Sequence, residues 1–409
     1  MSAPFVTHLE SAIDGTRFEP GRLYSTHMDR PLWVRYDLAA IKGAVSRDEM
    51  ERRGPDLWRW RELLPVQDIA NVVSLGERTT PLLRAPRLGN ALGLSDLWIK
   101  DDSQLPTGSF KSRGQAVAIS MARELGVRRV AIPTAGNAGG SMAAYAARAG
   151  MEAYVFMPAD TPRINQFEAA MAGAKVFLVD GLITDCGKIV RAGKEAMQWF
   201  DISTLREPYR IEGKKTMGLE LAEQFGWRLP DVILYPTGGG TGLIGMWKAF
   251  QELRELGWLD SSNMPRMVSV QSDGCAPIVR AYEQGSRFAE LFTPAATVAS
   301  GIRVPAAIGD FMILDAVRES GGTAIAVDER QIVEWMRLAI RSEGVSVCPE
   351  SAACVGAAIQ LRATGWIRPD ERVVLYNCGA AQKYVDVAPL DLPRIPAGEF
   401  KDWDRILRG

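Results

Sequence analysis

The hydrophobic pattern of the chain alternates between short apolar runs bounded by turn residues and longer stretches with helical spacing. The apolar runs predict buried strands at Val130–Pro133, Ala153–Met157, Lys175–Val179, Val232–Tyr235, Met267–Gln271 and Val373–Asn377. The helical spacing predicts helices at Gln115–Leu125, Ser141–Ala149, Arg163–Met171, Thr216–Phe225 and Leu243–Leu256. Strands that alternate with helices form mostly parallel sheets covered by helices, so the pattern predicts the α/β class.

The length and the local alternation predict two lobes. The chain has 409 residues, more than one domain core usually spans. Residues 114–208 carry their own alternation of strands and helices. We therefore predict a large domain formed by residues 1–113 and 209–409, with a small α/β domain at 114–208 inserted into it. Loops from both lobes would line one crevice, where open α/β sheets bind ligands.

Composition narrows the class of protein. The 48 basic and 49 acidic residues nearly cancel, and no block of like charge indicates a nucleic-acid partner. There is no apolar run of membrane-spanning length, no signal pattern and no CxxC spacing among the five cysteines. We expect free thiols, no membrane contact and a cytoplasmic protein. The two histidines, His8 and His27, nearly exclude a Ser-His-Asp triad or a multi-histidine metal site, so chemistry needs other groups or a cofactor.

A candidate reactive lysine stands in the segment Gly108-Ser-Phe-Lys-Ser-Arg-Gly114, directly before a helical stretch. The positive end of a helix disfavours the ammonium form of Lys111, and the helix fixes its position. A nucleophilic lysine needs both conditions. Considered alone, a surface lysine in a first helical turn is the commoner explanation.

A second segment of small residues, Ile132–Gly140, joins a strand to a helix. Its backbone amides can approach an anion at the start of the helix. Asn137 offers an uncharged carboxamide to a phenolic oxygen, and Thr134 adds a hydroxyl. A tight turn with Asn137 in the left-handed region explains this segment about as well.

A third segment contains a strand, the loop Gly238-Gly-Gly-Thr-Gly242 and a helix. Free amides at a helix start form an anion nest, and this many glycines cost too much entropy for a simple turn. We therefore expect a bound phosphate. Gly240, Gly242 and Gly245 also fit the dinucleotide fingerprint, but its acidic companion is expected about 20 positions later, and the nearest candidate at the end of a following strand is Asp273, which comes late.

The three segments together have the order and spacing of a pyridoxal phosphate site, and most of the chain, from about Leu32 to Tyr384, resembles the threonine synthases. These are fold-type II pyridoxal phosphate enzymes. Besides the three segments, the resemblance rests on Arg35-Tyr-Asp37, Thr79-Thr-Pro-Leu82, Glu207-Pro-Tyr-Arg210-Ile-Glu-Gly213-Lys-Lys-Thr216, Gly301-Ile-Arg303-Val-Pro305 and Pro349-Glu350. It implies a tryptophan synthase β-like fold, with two open, mostly parallel sheets flanked by helices.

The resemblance also implies the roles of individual residues. Lys111 would form the Schiff base with the cofactor, and Asn137 would bond the 3-oxygen of its ring. Cys378 stands where the family places the partner of the pyridine nitrogen. The cofactor phosphate would bind Gly238, Gly239, Gly240, Thr241 and Gly242. The substrate would contact Ser109, Thr134, Ala135, Gly136, Thr204 and Arg210, where Arg210, with Thr204 or Lys215 nearby, binds the phosphate of the substrate.

The implied reaction converts O-phosphohomoserine and water into threonine and phosphate by elimination and β-addition. The partner is thus a phosphorylated amino acid, and a homodimer is compatible with the sequence. Several departures keep alternatives open: Ser112 replaces a common Asp, Cys378 replaces Thr or Ser, Ser351 replaces a small residue, and no zinc-ribbon cysteines occur, so no metal is expected. The alternative is a serine/threonine dehydratase-like β-eliminase or another pyridoxal phosphate synthase. An NAD(P)-dependent oxidoreductase and an inactive binding protein rank lower.

Overall fold

The computed structural model describes residues 5–388 together with residues 390, 392 and 394. The strands are β1 Val6–Ser11, β2 Arg17–Phe18, β3 Leu32–Tyr36, β4 Leu82–Arg84, β5 Asp96–Asp101, β6 Arg129–Pro133, β7 Glu152–Pro158, β8 Lys175–Val179, β9 Phe200–Asp201, β10 Val232–Pro236, β11 Arg266–Ser272, β12 Thr323–Val327 and β13 Arg372–Asn377. The α-helices are α1 Leu38–Ala44, α2 Arg47–Arg52, α3 Pro86–Leu92, α4 Lys111–Glu124, α5 Asn137–Ala149, α6 Arg163–Met171, α7 Ile183–Met197, α8 Tyr209–Gln224, α9 Thr241–Leu256, α10 Pro277–Glu283, α11 Asp310–Glu319, α12 Ile332–Glu343 and α13 Pro349–Ala363. Short 3₁₀ helices occupy Leu57–Leu63, Ile69–Asn71, Asp102–Gln104, Ser300–Ile302, Glu329–Gln331 and Ala381–Tyr384.

The larger sheet has six strands in the order β12-β11-β10-β13-β5-β4. All neighbours are parallel except β4, which pairs antiparallel with β5 at the edge. Every residue of β10 is buried, as in a strand covered on both faces, which explains its continuous apolar run. Because β10 and β13 are parallel neighbours, the loop at 238–242 and Cys378 leave the sheet at the same edge.

The smaller sheet has four parallel strands in the order β8-β7-β6-β9. Its strands fall between residues 129 and 201, inside the stretch predicted to form a small domain. The domain boundaries at 113/114 and 208/209 stay a prediction, and parts of residues 1–113 and 209–409 lie outside the described residues. Helix α4 packs against α5 beside this sheet and against α8 of the larger lobe, so it joins the two layers.

A third, antiparallel sheet in the order β2-β1-β3 was not predicted from the sequence. It is attached to the large lobe at Tyr36, whose hydroxyl donates to Glu212 Oε2 at 2.8 Å. Glu212 is itself buried between the ammonium groups of Lys215 and Lys248. The carboxylate is thus paired as a buried charge must be.

The predicted strands are confirmed to within one residue at each end, but several predicted helix starts are wrong. Helix α8 begins at Tyr209 rather than Thr216, and α5 begins at Asn137 rather than Ser141. Gly213 precedes the helix that the sequence pattern predicts at Thr216–Phe225. In the structure it lies inside α8, where a Cβ would overlap the carbonyl of Arg113 on α4. Close packing of two helices therefore requires a glycine at a helical position.

Two further predictions concern the whole chain. No helix among the described residues is long and apolar enough to cross a membrane. All five cysteines are buried and unpaired, in agreement with the free thiols expected from their spacing.

Candidate active site

A cavity of about 400 Å³ lies at the ends of the parallel strands, with residues next to both the smaller and the larger sheet in its walls. All three segments singled out in the sequence contribute to it. Among the predicted site residues, those that line the cavity are Lys111, Thr134, Ala135, Gly136, Asn137, Thr204, Gly238, Gly239, Gly240, Thr241 and Cys378. Residues more than 250 positions apart thus form one site.

Lys111 is the first residue of α4, and its amine lies 4.2 Å from the centroid of the Phe110 ring. The amine makes no hydrogen bond with any residue that the structure describes. Burial, followed by the positive charge of Arg210, lowers the pKa of Lys111 from 10.5 to about 8. A large share of this amine is therefore neutral near pH 8, the form that attacks carbonyls and accepts protons.

The orientation of Asn137 is fixed from both sides. Its Nδ2 donates to the Tyr384 hydroxyl at 3.0 Å, and its Oδ1 accepts from Asn165 Nδ2 at 2.9 Å. The neighbouring Thr134 hydroxyl donates to the carbonyl of Gly136 and accepts from its amide, so it stabilises the loop itself. The carboxamide is thus held at the cavity wall by Asn165 and Tyr384, two residues that no sequence motif connects to Asn137.

The glycine loop connects β10 to α9 and has the properties of a phosphate cradle. The backbone amides of residues 238–243 donate no hydrogen bond to any acceptor among the described residues. Such amides at a helix start are the usual donors to a phosphate. Gly240 has φ +74°, which favours glycine, and a Cβ at Gly242 would overlap the Tyr235 hydroxyl. The loop therefore fits the phosphate of pyridoxal phosphate.

Cys378 follows β13 and closes the opposite wall. Its amide donates to Ser351 Oγ at 2.8 Å, and its carbonyl accepts from the Phe110 amide at 2.9 Å. Burial raises the pKa of Cys378 to about 12, so the thiol keeps its proton at neutral pH. A neutral thiol is compatible with a ring nitrogen that carries no fixed proton.

Arg210 does not line the cavity but lies buried behind its wall. Its Nη1 donates to the Ile202 carbonyl at 2.9 Å and contacts Thr204 Oγ1 at 3.4 Å. Its Nε and Nη2 have no hydrogen-bond partner among the described residues. Glu207 accepts from the backbone amides of Tyr209 and Arg210, so it caps the start of α8. The guanidinium thus keeps unused donors directly behind Thr204.

Three other residues that the sequence analysis placed at or near the site do not line the cavity. Ser109 is buried beside the cavity wall, forms a backbone bridge with Gly379 and does not line the cavity. Gly242 lies one residue behind the part of the glycine loop that does. Lys215 was placed near Arg210 in the sequence analysis, but its amine is buried in an ion cluster with Glu212 and Glu252.

Several cavity residues were not assigned a role from the sequence. Glu350 accepts from the Gly301 amide with Oε1 at 2.7 Å, while its buried Oε2 has no partner among the described residues. Pro349-Glu350 and Gly301–Pro305 are among the motifs that carry the family resemblance, but the sequence analysis assigned no function to them. Helix α7 also lines the cavity, through Thr184, Lys188 and Arg191. Its sequence has the pattern of an ordinary amphipathic helix, and that pattern does not indicate a binding site.

Comparison with known proteins agrees with this geometry. The family described as "Pyridoxal-phosphate dependent enzyme" matches residues 73–379. A threonine synthase of Methanocaldococcus jannaschii is 35% identical over 90% of this chain and 90% of its own length. A threonine synthase of Methanosarcina acetivorans is 36% identical over 86% of this chain and 85% of its own length.

The fold is also found among solved structures. Maize serine racemase superposes with a TM-score of 0.66 at 22% identity, over 80% of this chain and 94% of the racemase. This likeness confirms the fold-type II architecture with its mostly parallel sheets. From the matched family, the similarity to two threonine synthases and the cavity that fits the cofactor, we conclude that the chain belongs to the threonine synthase family of pyridoxal-phosphate dependent enzymes.

Proposed function

We propose that this protein converts O-phosphohomoserine and water into threonine and phosphate, with pyridoxal phosphate as its cofactor. The observation that carries the proposal is a single cavity that combines the Lys111 amine with the unbonded amides of residues 238–241. The chain that forms it shares 35% identity with a threonine synthase over nearly the full length of both. The dinucleotide alternative lacks comparable support.

The cofactor would be held by four groups of this chain. Lys111 would form the covalent link, and Asn137 would bond the ring oxygen. The amides at 238–242 and the Thr241 hydroxyl would hold the phosphate, and the Cys378 thiol would face the ring nitrogen. When bound, pyridoxal phosphate withdraws electrons from the α carbon of an amino acid and so makes its proton removable.

Lys111 would then move protons. With a pKa of about 8, its amine accepts and returns protons near neutral pH, as efficient acid–base catalysis requires. A flexible side chain at the start of α4 can reach the α, β and γ carbons of a substrate that stays in place. Among the described residues, Lys188 of α7 is the other lysine that lines the cavity, and its side chain is exposed to solvent, whereas that of Lys111 is partly buried.

The substrate would be fixed at both ends. The loop Thr134–Gly136 would contact its amino-acid part, helped by unbonded amides at the start of α5, whereas Ser109 is buried beside the wall and would not reach the substrate. Thr204 would contact its phosphate, and Arg210 would supply charge from behind. The position of the Arg210 guanidinium behind Thr204 supports this role, because a buried positive charge attracts an anion held at the Thr204 hydroxyl. The cytoplasmic location and the homodimer stay predictions.

The test is a product analysis of the purified holoenzyme with O-phosphohomoserine, L-serine and L-threonine as separate substrates. We expect phosphate and threonine from the first and little oxo acid from the other two. The Lys111→Ala variant is the matched control, and it should lose turnover of every substrate. Rapid oxo-acid formation from serine or threonine, with O-phosphohomoserine unused, would favour the dehydratase alternative.

A further inference from the structure

Lys383 lies where three segments of the site converge. Its Nζ donates to the Thr107 carbonyl at 3.0 Å, just before the Lys111 segment. The same nitrogen donates to both carboxylate oxygens of Glu168, at 2.6 and 2.8 Å. Glu168 belongs to α6 beside the smaller sheet, whereas Lys383 belongs to the 3₁₀ helix that follows β13. The ion pair therefore connects a helix beside the smaller sheet to the segment that follows a strand of the larger sheet.

Two glycines of the site make room for this pair. Gly108, at φ +62°, would place a Cβ 3.3 Å from Lys383 Cδ. Gly140, in the first turns of α5, would place a Cβ 2.8 Å from Glu168 Oε2. The ion pair thus packs against the lysine segment on one side and the asparagine segment on the other. The small residues that marked both segments in the sequence are explained in part by this contact.

The residues next to the pair hold the candidate ring contact. Asn165, one helical turn before Glu168, donates to Asn137 Oδ1. Tyr384, adjacent to Lys383, accepts from Asn137 Nδ2. Each partner of the ion pair therefore has a neighbour bonded to the same carboxamide. A change in the separation of Lys383 and Glu168 would reach Asn137 from both sides.

We propose that Lys383 and Glu168 form a clasp that positions Asn137 and the Lys111 segment for the cofactor. Lys383 is a positioning residue, because it acts through these groups and does not line the cavity. The Lys383 side chain is 7% exposed and that of Glu168 is 29% exposed, so water screens the pair only partly. Loss of one partner leaves a largely buried charge unpaired, which is costlier than loss of a surface pair. The inference rests on the proposed cofactor and is independent of the substrate.

The experiment measures the affinity of the full chain for pyridoxal phosphate in Lys383→Met, Glu168→Gln and the double variant. We expect each single variant to bind the cofactor about tenfold more weakly, and the double variant to be no worse than Lys383→Met. The near-ultraviolet circular dichroism of the bound cofactor should weaken in parallel, because the ring is held less rigidly. Lys383→Arg, which keeps the charge, should restore most of the affinity.

The matched control is Lys175→Met, which breaks an ion pair of similar length with Glu152 on the same lobe, at side chains 57% and 45% exposed. It should leave cofactor affinity and dichroism unchanged. Unaltered affinity in both clasp variants, or simple addition of their effects in the double variant, would overturn the proposal. Thermal unfolding of each variant shows whether it is folded, and a variant that unfolds is replaced by another that also breaks the ion pair, Lys383→Gln or Glu168→Ala. Because binding alone is measured, these outcomes do not depend on whether the substrate is O-phosphohomoserine.

Discussion

Replacement of Arg210 by methionine should raise the pKa of Lys111. Burial, followed by the charge of Arg210, lowers that pKa to about 8. The substitution removes the contribution of the charge and leaves the contribution of burial. At pH 8 about half of the Lys111 amine is neutral, whereas about 0.3% of a lysine with the ordinary value would be. The site thus provides about 150-fold more reactive amine than a surface lysine at the same pH.

The contribution of Arg210 to the pKa of Lys111 follows from Coulomb's law. A unit charge at about 10 Å in an effective dielectric of about 20 changes the energy of an ammonium group by about 1.7 kcal/mol. Its removal should lower the neutral fraction of Lys111 at a given pH by about tenfold. Arg210→Lys keeps the charge without the planar guanidinium, so it should leave the neutral fraction close to that of the original protein.

The assay follows the rate at which the cofactor-free full chain binds pyridoxal phosphate across a range of pH, by visible absorbance. The rate should rise with pH through a midpoint near 8, because only the neutral amine reacts. In Arg210→Met the midpoint should move to higher pH. Arg206→Met is the control, since Arg206 also lines the cavity but pairs with Asp29 at 2.8 Å. An unchanged midpoint in Arg210→Met, or the same shift in the control, would refute the reasoning.

Three further changes test other parts of the account. Gly240→Ala should lower the free energy of unfolding by about 2 kcal/mol in thermal or denaturant unfolding, because a Cβ at φ +74° would overlap Ile313 Cδ1. Cys378→Asp should shift the absorbance of the bound cofactor toward a protonated ring and promote side reactions, whereas Cys378→Ser should change neither; an aspartate variant with the original spectrum would place the thiol away from the ring. Burial raises the pKa of Glu220, but the charges and hydrogen bonds of Arg113 and Lys100 together outweigh burial and lower that pKa to about 2, so Glu220→Gln should cost about 3 kcal/mol in the same unfolding experiment.

The sequence predicted the strands around the site better than the rest of the fold, and the reason is local. Strand β10 is a continuous apolar run because helices cover both of its faces. Strand β5 was missed because Lys100 and Asp101 make it resemble a surface segment. In the structure the Lys100 amine is buried and donates to Glu220 at 2.8 Å and to Gln224 at 2.8 Å. Those partners are more than 100 positions away, beyond any local pattern.

The candidate site shows the same division. Lys111, Asn137 and the glycine loop could be identified because each occupies a short segment with a physical reason for its small residues. The burial of Arg210 behind the cavity wall could not be predicted, since it depends on how the loop before α8 folds over the guanidinium. The contact of Lys383 with Glu168 could not be predicted either, because it joins positions 215 residues apart and depends on how α6 packs against the segment after β13. The chemistry of each short segment could be predicted from the sequence, whereas the contacts between distant segments could be identified only from the structure.

The central claim is tested most directly by incubating the holoenzyme with O-phosphohomoserine in heavy water and measuring phosphate and threonine together. Elimination followed by addition of water predicts one phosphate for each threonine, with deuterium at the α carbon and in the methyl group, because Lys111 exchanges protons with solvent at both positions. Release of phosphate without threonine, or no reaction while serine or threonine yields oxo acid, would contradict the account.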